Sequence, residues 1–305
     1  MKSVVTRRRP LDAEAELSGT FDSIRVWPKR TPPKPKELLP FAKDADVVVC
    51  TLDDQMDSKT IKQLPKLKHL ITYSVGVNHV DREALKARGI SFSYTPGALT
   101  DATAELTWAL ILGAARRIVL GAEWVRRGKF TGYEPTLFLG MELKGKTLGI
   151  VGMGRIGQAV AVRAQGFGMK VIHSGRNSGV ALRKLLGESD VVSLHCPLTP
   201  QTRHLIGAET LRLMKPTAIL VNTSRRAVID EQALVKHLKA HKDFTAALDV
   251  YEFEPKLVPG LTKLPNALCV PHIGSATREA RESIARMCFD EAVCFANGQQ
   301  LRYVY

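Results

Sequence analysis

The segment Thr147-Leu-Gly-Ile-Val-Gly-Met-Gly-Arg-Ile-Gly157 constrains this chain more than any other. An apolar run, Leu148 to Val151, breaks into Gly152, Gly154 and Gly157, and Ala159, Val160 and Val162 then continue an apolar-periodic stretch. The order is strand, tight turn, helix. Gly152 permits the sharp turn, Gly154 lets the backbone approach a pyrophosphate, and Gly157 lets helix and strand pack closely. The helix that starts here aims unpaired N–H groups and the positive end of its dipole at the phosphates. Three small residues at a strand–helix turn also arise from packing alone, so it is the flanking strand and helix that point to a dinucleotide.

The surrounding sequence alternates in the same way. Up to residue 98, strands are expected at Ser3–Thr6, Ser23–Trp27, Ala45–Cys50, Leu70–Tyr73 and Ile90–Tyr94, with helices near Asp12–Ser18, Pro35–Ala42, Lys59–Leu64 and Arg82–Arg88. Strands separated by helices imply a parallel sheet covered on both faces. Thr100 or Asp101 can cap a following helix over Ala102–Arg117, which is apolar on nearly every side and must be buried between layers, domains or subunits. Between 145 and 272 come six more strand-like runs: Thr147–Val151, Lys170–His173, Val191–His195, Ala218–Val221, Thr245–Leu248 and Ala267–Val270. A last amphipathic helix runs from about Thr277 to Ala296. The fold class is therefore α/β, doubly wound.

Composition narrows the function. With 305 residues and a 45% apolar share the chain can build real cores. Cys50, Cys196, Cys269, Cys288 and Cys294 show neither C-x-x-C nor metal-ligand spacing, and read as reduced thiols of a cytoplasmic protein. No apolar stretch approaches a membrane span, and Met1-Lys-Ser-Val-Val-Thr lacks the features of an export signal. The net charge of +14 is dispersed apart from Arg7-Arg8-Arg9 and Arg225-Arg226, without a nucleic-acid-binding motif. It suits a protein that attracts a polyanionic cofactor and a small anionic substrate.

Several residues carry chemistry. A turn of this kind that binds NAD places Asp or Glu about 20 residues on, at the end of the next strand, to hold the ribose 2′-OH. Here the run is His173-Ser174-Gly175-Arg176-Asn177. A guanidinium offers charge and paired hydrogen bonds to a 2′-phosphate that a carboxylate would repel, which predicts NADP in preference to NAD. Arg225, Asp249 and His272 follow three successive strands, all on the edge that bears the glycine turn. A lone strand-end His or Arg is more often structural; three such groups on one edge read as a catalytic set.

These segments together resemble the D-isomer-specific 2-hydroxyacid dehydrogenases. Gly152-Met-Gly-Arg-Ile-Gly157, His195-Cys-Pro-Leu-Thr-Pro-Gln-Thr202, Asn222-Thr-Ser-Arg225, Leu248-Asp-Val-Tyr-Glu-Phe-Glu-Pro255 and Pro271-His-Ile-Gly274 look like that family's signatures, and within it the glyoxylate/hydroxypyruvate reductases are most similar. The resemblance implies two Rossmann- or flavodoxin-like domains with a cleft between them: a discontinuous substrate domain, 1–98 plus 281–305, and a dinucleotide-binding domain, 99–280. It implies that Arg225 holds the substrate carboxylate and keto oxygen, that His272 is the general acid, and that Glu254 pairs with His272 and favours the imidazolium. A positioned acid contributes roughly 10²–10⁴-fold. Leu52 would contact the substrate's C3 end, and Val75, Gly76 and Val77 would offer backbone N–H groups to its carboxylate. The cofactor would be held by Thr103, Gly152, Gly154, Arg155, Ile156, Gly157, Ser174, Arg176, Asn177, Cys196, Pro197, Thr202, Thr223, Ser224, Asp249 and Gly274. The implied reaction is reduction of a small 2-keto acid, glyoxylate to glycolate or hydroxypyruvate to D-glycerate, by a homodimer.

Two departures stand out. The family usually has Gly after the catalytic Arg, whereas this chain has Arg226, either strained at positive φ or adding charge near the site. Where reductases of this group often carry Trp after the dimer helix, the loop Gly128–Pro135 offers Phe130 and Tyr133. The alternatives are a phosphoglycerate or bulkier keto-acid dehydrogenase, or a dinucleotide-sensing scaffold like the C-terminal-binding corepressors.

Overall fold

Strands buried on both faces of a parallel sheet are apolar without a break, and Val47-Val-Val-Cys50 and Ile219-Leu-Val-Asn222 are fully buried along their lengths. A computed structural model describes residues 1–305, which divide into two units, Met1–Leu99 with Ser275–Tyr305, and Thr100–Gly274. The second crossing lies at 274/275, not 280/281. Thr277 caps the final helix, its hydroxyl accepting from Ala280 N at 3.1 Å, so the residues leading into that helix go with the unit that holds it.

In the first unit five parallel strands, β1 (Lys2–Val5), β2 (Ser23–Val26), β3 (Val47–Cys50), β4 (His69–Thr72) and β5 (Ser91–Ser93), take the order β2-β1-β3-β4-β5. Their side chains alternate between faces. Val4, Val48 and Leu70 face a core with Leu38 of α2 (Pro35–Ala42), Ile61 of α3 (Ser58–Lys62) and Leu85 of α4 (Arg82–Ala87). Val5, Val49 and Ile71 face Leu17 of α1 (Ala13–Leu17) and a helix at the far end of the sequence, Arg278–Ala296, through Ile284, Cys288, Phe289 and Ala292. Asp12, Asp57 and Asp81 cap α1, α3 and α4, and Pro35 sits at the first turn of α2.

The second unit begins with α5 (Thr100–Ala115) and α6 (Ile118–Arg126). The helix starts at Thr100, so Thr100 and Asp101 lie inside its first turn and not at its cap; Asp101 instead accepts from Arg163 Nη2 at 2.8 Å. The chain breaks at Arg117, whose φ of 51° is left-handed, and α6 follows as a separate helix that apolar periodicity did not delimit. α5 is apolar all round because it lies between layers, against α7 (Arg155–Ala164) on one side and the sheet on the other. Trp108 locks it there, donating to Val160 O at 3.1 Å and stacking on Phe167.

The six parallel strands β6 (Thr147–Val151), β7 (Lys170–Ser174), β8 (Val191–Leu194), β9 (Ile219–Asn222), β10 (Thr245–Leu248) and β11 (Ala267–Cys269) run in the order β11-β10-β9-β8-β6-β7. Connections lead outward in opposite directions from β6 and β8, so the glycine turn after β6 stands at the switch point, where open α/β sheets bind ligands. The helices α8 (Leu182–Glu188), α9 (Ala208–Leu211) and α10 (Glu231–Ala240) complete the unit, and Arg278–Ala296 is α11. Register aligns the strand ends: Ser174, Val151, Leu194, Asn222, Leu248 and Cys269 form one row across the sheet. Every chemistry-bearing segment of this unit continues from that row. No helix is long and apolar enough to cross a membrane.

Candidate active site

The glycine turn is shaped by two backbone approaches. Gly152 has φ +98°, and a Cβ there would stand 2.7 Å from both His195 C and Cys196 N; one at Gly157 would stand 2.2 Å from Gly152 O. Packing alone therefore demands these two glycines. A Cβ at Gly154 would meet no protein atom within 4 Å, so the space beside it is open. Gly154 is also the N-cap of α7 and supplies no side chain to the amides of Arg155, Ile156 and Gly157. An uncapped helix N-terminus next to open space fits a dinucleotide's pyrophosphate.

Beyond β7, Gly175 N donates to Ser178 O at 2.9 Å and Val180 N to His173 O at 2.8 Å, closing a tight turn. Arg176 and Asn177 are exposed at its tip. The neighbouring loop 195–202 is held internally, since Thr202 Oγ1 donates to Pro197 O at 2.6 Å and accepts from Thr199 N at 2.8 Å. Burial pulls His195 down to about 4 and pushes the Cys196 thiol up to about 11. His195 is thus neutral and Cys196 protonated near neutral pH, and neither supplies a charge here.

After β9 the backbone folds around Asn222. Its Oδ1 accepts from Ser224 N at 3.0 Å and Ser224 Oγ at 2.7 Å, and its Nδ2 donates to Arg225 O at 3.2 Å. Arg225 Nη1 donates to Ser224 O at 2.7 Å, and burial pulls the guanidinium below its usual range. Thr223 Oγ1 lies 2.9 Å from Thr107 Oγ1 of α5. A half-buried cation held in a rigid turn is well placed to meet an anion.

The ends of β10 and β11 are joined by side chains. Tyr251 OH donates to Val270 O at 2.7 Å and lies 3.1 Å from Leu248 O. Asp249 is buried and accepts from Ile273 N at 2.6 Å and Gly274 N at 2.8 Å. Burial pushes its carboxyl up, against the pull of these amides and the charge of His272. Thr103 Oγ1 donates to Gly274 O at 3.1 Å, so Thr103, Asp249 and Gly274 meet as one group. His272 sits between the bonds of Ile273 and Tyr251 with φ 52°, a left-handed conformation uncommon outside glycine. Its Nδ1 lies 3.0 Å from Glu254 Oε2, leaving Nε2 as the ring nitrogen for another partner. Burial pushes the Glu254 carboxyl up, but His272, the Tyr251 amide and Arg226 outweigh it and hold Glu254 below the usual carboxylate range.

Arg226 is not strained: it is absent from the positive-φ positions and opens a short 3₁₀ turn, Arg226–Val228. Its Nη2 stands 2.9 Å from the same Glu254 Oε2 that faces His272. No pattern in the sequence signals this pairing, nor the bracing by Asn222 and Tyr251, because each depends on which loop a side chain reaches.

In the first unit, Leu52 and the Val75–Val77 segment occupy the loops after β3 and β4, partly exposed. Buried Asp54 shapes the first loop, accepting from Thr51 N at 2.7 Å and Thr6 Oγ1 at 2.5 Å. Ser74 shapes the second, its hydroxyl 2.8 Å from Thr72 Oγ1 and donating to Gly76 O at 2.6 Å.

Residues 108–274 match the D-isomer specific 2-hydroxyacid dehydrogenase, NAD binding domain family. The glyoxylate reductase of Thermococcus litoralis is 45% identical, the match covering 98% of this chain and 94% of that protein. A protein of Thermus thermophilus superposes with TM-score 0.93 at 44% identity, covering 100% and 99% of the two chains. A glyoxylate reductase of Paecilomyes thermophila superposes with TM-score 0.88 at 32% identity, covering 100% and 98%. The chain belongs to the D-isomer-specific 2-hydroxyacid dehydrogenases and is an oxidoreductase with an NAD(P)-binding domain acting in keto-acid reduction.

Proposed function

We propose that this chain reduces small 2-keto acids, glyoxylate to glycolate and hydroxypyruvate to D-glycerate, preferring NADPH to NADH. The observation that carries the reading is the His272–Glu254 pair, on loops that follow strand ends in register with the end preceding Arg225, on the edge that bears the glycine turn. The amides at the start of α7, open beside Gly154, would hold the pyrophosphate, and the Thr103–Asp249–Gly274 group would hold the nicotinamide end. A bound reduced nicotinamide supplies the hydride that such a reduction needs.

The protein's own residues do the rest. Arg225 clamps the substrate carboxylate and draws electron density toward the keto oxygen. His272, held through Nδ1 by Glu254, presents a protonated Nε2 to that oxygen and gives up its proton as the alkoxide develops. In the first unit, taken by itself, Leu52 would limit substrate bulk, at about 1–3 kcal/mol per methylene, and the Val75–Val77 amides would offer donors to a carboxylate. The NADPH preference is supported by Arg176 and Asn177 on the turn after β7, where no carboxylate stands.

A homodimer is part of this reading. α6 buries none of its residues, exposing Ile118, Val119 and Val125, and Phe130 and Tyr133 are 64% and 90% exposed on the loop beyond it. Light scattering should give twice the mass of the chain, and Val125→Glu should halve it; a monomeric parent protein would end the claim.

Absorbance loss at 340 nm, with six 2-keto acids against both reduced cofactors, tests the function. Glyoxylate and hydroxypyruvate with NADPH should give the highest kcat/KM. An equal or higher value with NADH removes the cofactor preference. No turnover with any acid, beside binding of peptides, would favour the sensing scaffold.

A further inference from the structure

Arg226 stands where the family resemblance leads one to expect glycine, and its side chain goes to the catalytic pair. Arg226 Nη2 lies 2.9 Å, and His272 Nδ1 3.0 Å, from one oxygen, Glu254 Oε2. The other oxygen, Oε1, accepts from Tyr251 N at 2.8 Å. The Glu254 carboxylate is therefore held at three points, and its charge is divided between a permanent cation and the imidazole.

We propose that Arg226 is a positioning residue which fixes Glu254 and, by sharing it with His272, sets the upper pH limit of keto-acid reduction lower than glycine at this position would. The inference rests on the proposed role of His272 as proton donor.

The effect originates at the shared oxygen. Two donors at about 3 Å from one atom lie no more than about 6 Å apart, where like charges interact appreciably even at a high effective dielectric. Arg226 is charged throughout the accessible pH range, so it opposes the imidazolium at every pH. It also competes for the lone pairs that would favour that imidazolium. Other charges around the pair are Asp249 at the end of β10, whose carboxylate acts on His272, and Glu231 and Glu252, of which Glu231 feels both Glu252 and Glu254. Asp249 favours the protonated ring and limits the opposing effect of Arg226, whereas Glu252 is already paired with His204 and Arg203. The side chain of Arg226 is 31% accessible, so solvent screens part of its field.

The sign is fixed by the chemistry. Reduction needs the protonated ring, so kcat/KM for the keto acid falls as pH rises past the apparent pKa of the proton donor. Removing the Arg226 charge favours protonation and moves that fall to higher pH. Oxidation of the hydroxy acid needs the neutral ring, and its rise with pH should move the same way.

The test is log kcat/KM for glyoxylate against pH 5–10, with the oxidation of glycolate as the reverse arm and melting temperature as a control for folding. Arg226→Gly should move the alkaline fall upward by about 0.5–1 pH unit, giving roughly a 3- to 10-fold gain over the parent well above the fall. Arg226→Lys should restore the parent limb, because it returns a cation within reach of Glu254. Arg226→Gln keeps a donor without charge, so its limb should follow Arg226→Gly. A limb that stays at the parent pH in Arg226→Gly and Arg226→Gln would overturn the proposal, as would a shift to lower pH. His272→Gln separates the two readings: near-full turnover there removes the proton-donor role itself, whereas a dead His272→Gln beside an unshifted Arg226→Gly removes only this inference.

Discussion

The carboxyl edges of the two sheets are braced to different degrees. In the Thr100–Gly274 unit, side chains tie one strand end to the next: Tyr251 joins β10 to β11, Asp249 holds Ile273 and Gly274, and Glu254 gathers His272 and Arg226. In the other unit the ties between strand ends are fewer, Thr6 Oγ1 to Asp54 and Arg7 to Asp53, while Asp54 and Ser74 also shape their own loops through Thr51 N and Gly76 O. A cross-braced edge restricts the motion of the groups it carries, as the acid–base role proposed for His272 requires. A less braced loop offers mainly backbone and apolar bulk, in line with the substrate-binding role proposed for Leu52 and Val75–Val77.

The largest effect expected from this contrast is at His272. His272→Gln should lower kcat by roughly 10²–10⁴-fold with NADPH affinity little changed, measured by steady-state kinetics and cofactor fluorescence titration. Near-full turnover would show that the braced edge is not where the proton is held. Arg225→Ala comes next: removing one partner of a charge pair that the bound substrate would desolvate costs about 2–5 kcal/mol, so kcat/KM for glyoxylate should fall by about 30- to several-thousand-fold. The loss should appear mainly with the keto acid and hardly in cofactor binding.

Gly152→Ala attacks the same edge through its backbone. With φ at +98° and its Cβ forced against His195 and Cys196, the variant should lose about 10-fold or more in NADPH affinity and several degrees of melting temperature. Ser74→Ala sharpens the comparison from the other unit. It should raise KM for glyoxylate a few-fold through loss of one hydrogen bond, leaving kcat and cofactor affinity as they were. If kcat falls as far as in His272→Gln, the two edges are not built for different tasks.

The smallest expected effect concerns pH and stability, and the two units should share it. Burial pulls His69 in one and His195 in the other down to about 4. Both are neutral when folded, yet each takes up a proton near pH 6.5 when unfolded. Melting temperature should therefore decline as pH falls from about 6.5 toward 4, since the unfolded chain binds more protons there. His195→Asn should flatten that decline in part, as followed by calorimetry.

Much of this molecule was legible before folding because its signals are local. Hydrophobic runs placed the strands, since a parallel strand covered on both faces must be apolar throughout. Gly152 and Gly157 announced the turn because only glycine tolerates the backbone approaches found there. The strand-end positions of Arg225, Asp249 and His272 followed from chain order alone. The start of α5 and the break at Arg117 did not, because capping and left-handed φ are settled by neighbours that sequence spacing does not specify.

Sequence by itself determined the doubly wound sheets, the glycine turn and the types of chemical group at one edge, because each depends on periodicity or on the conformational range of a single residue. Only the tertiary structure decided which groups share a partner. That Arg226 lies unstrained against the same Glu254 oxygen as His272, and that Asn222 and Tyr251 brace the strand ends, depends on distances between loops tens of residues apart. Those distances are set by the register of β9, β10 and β11, and no local pattern encodes them.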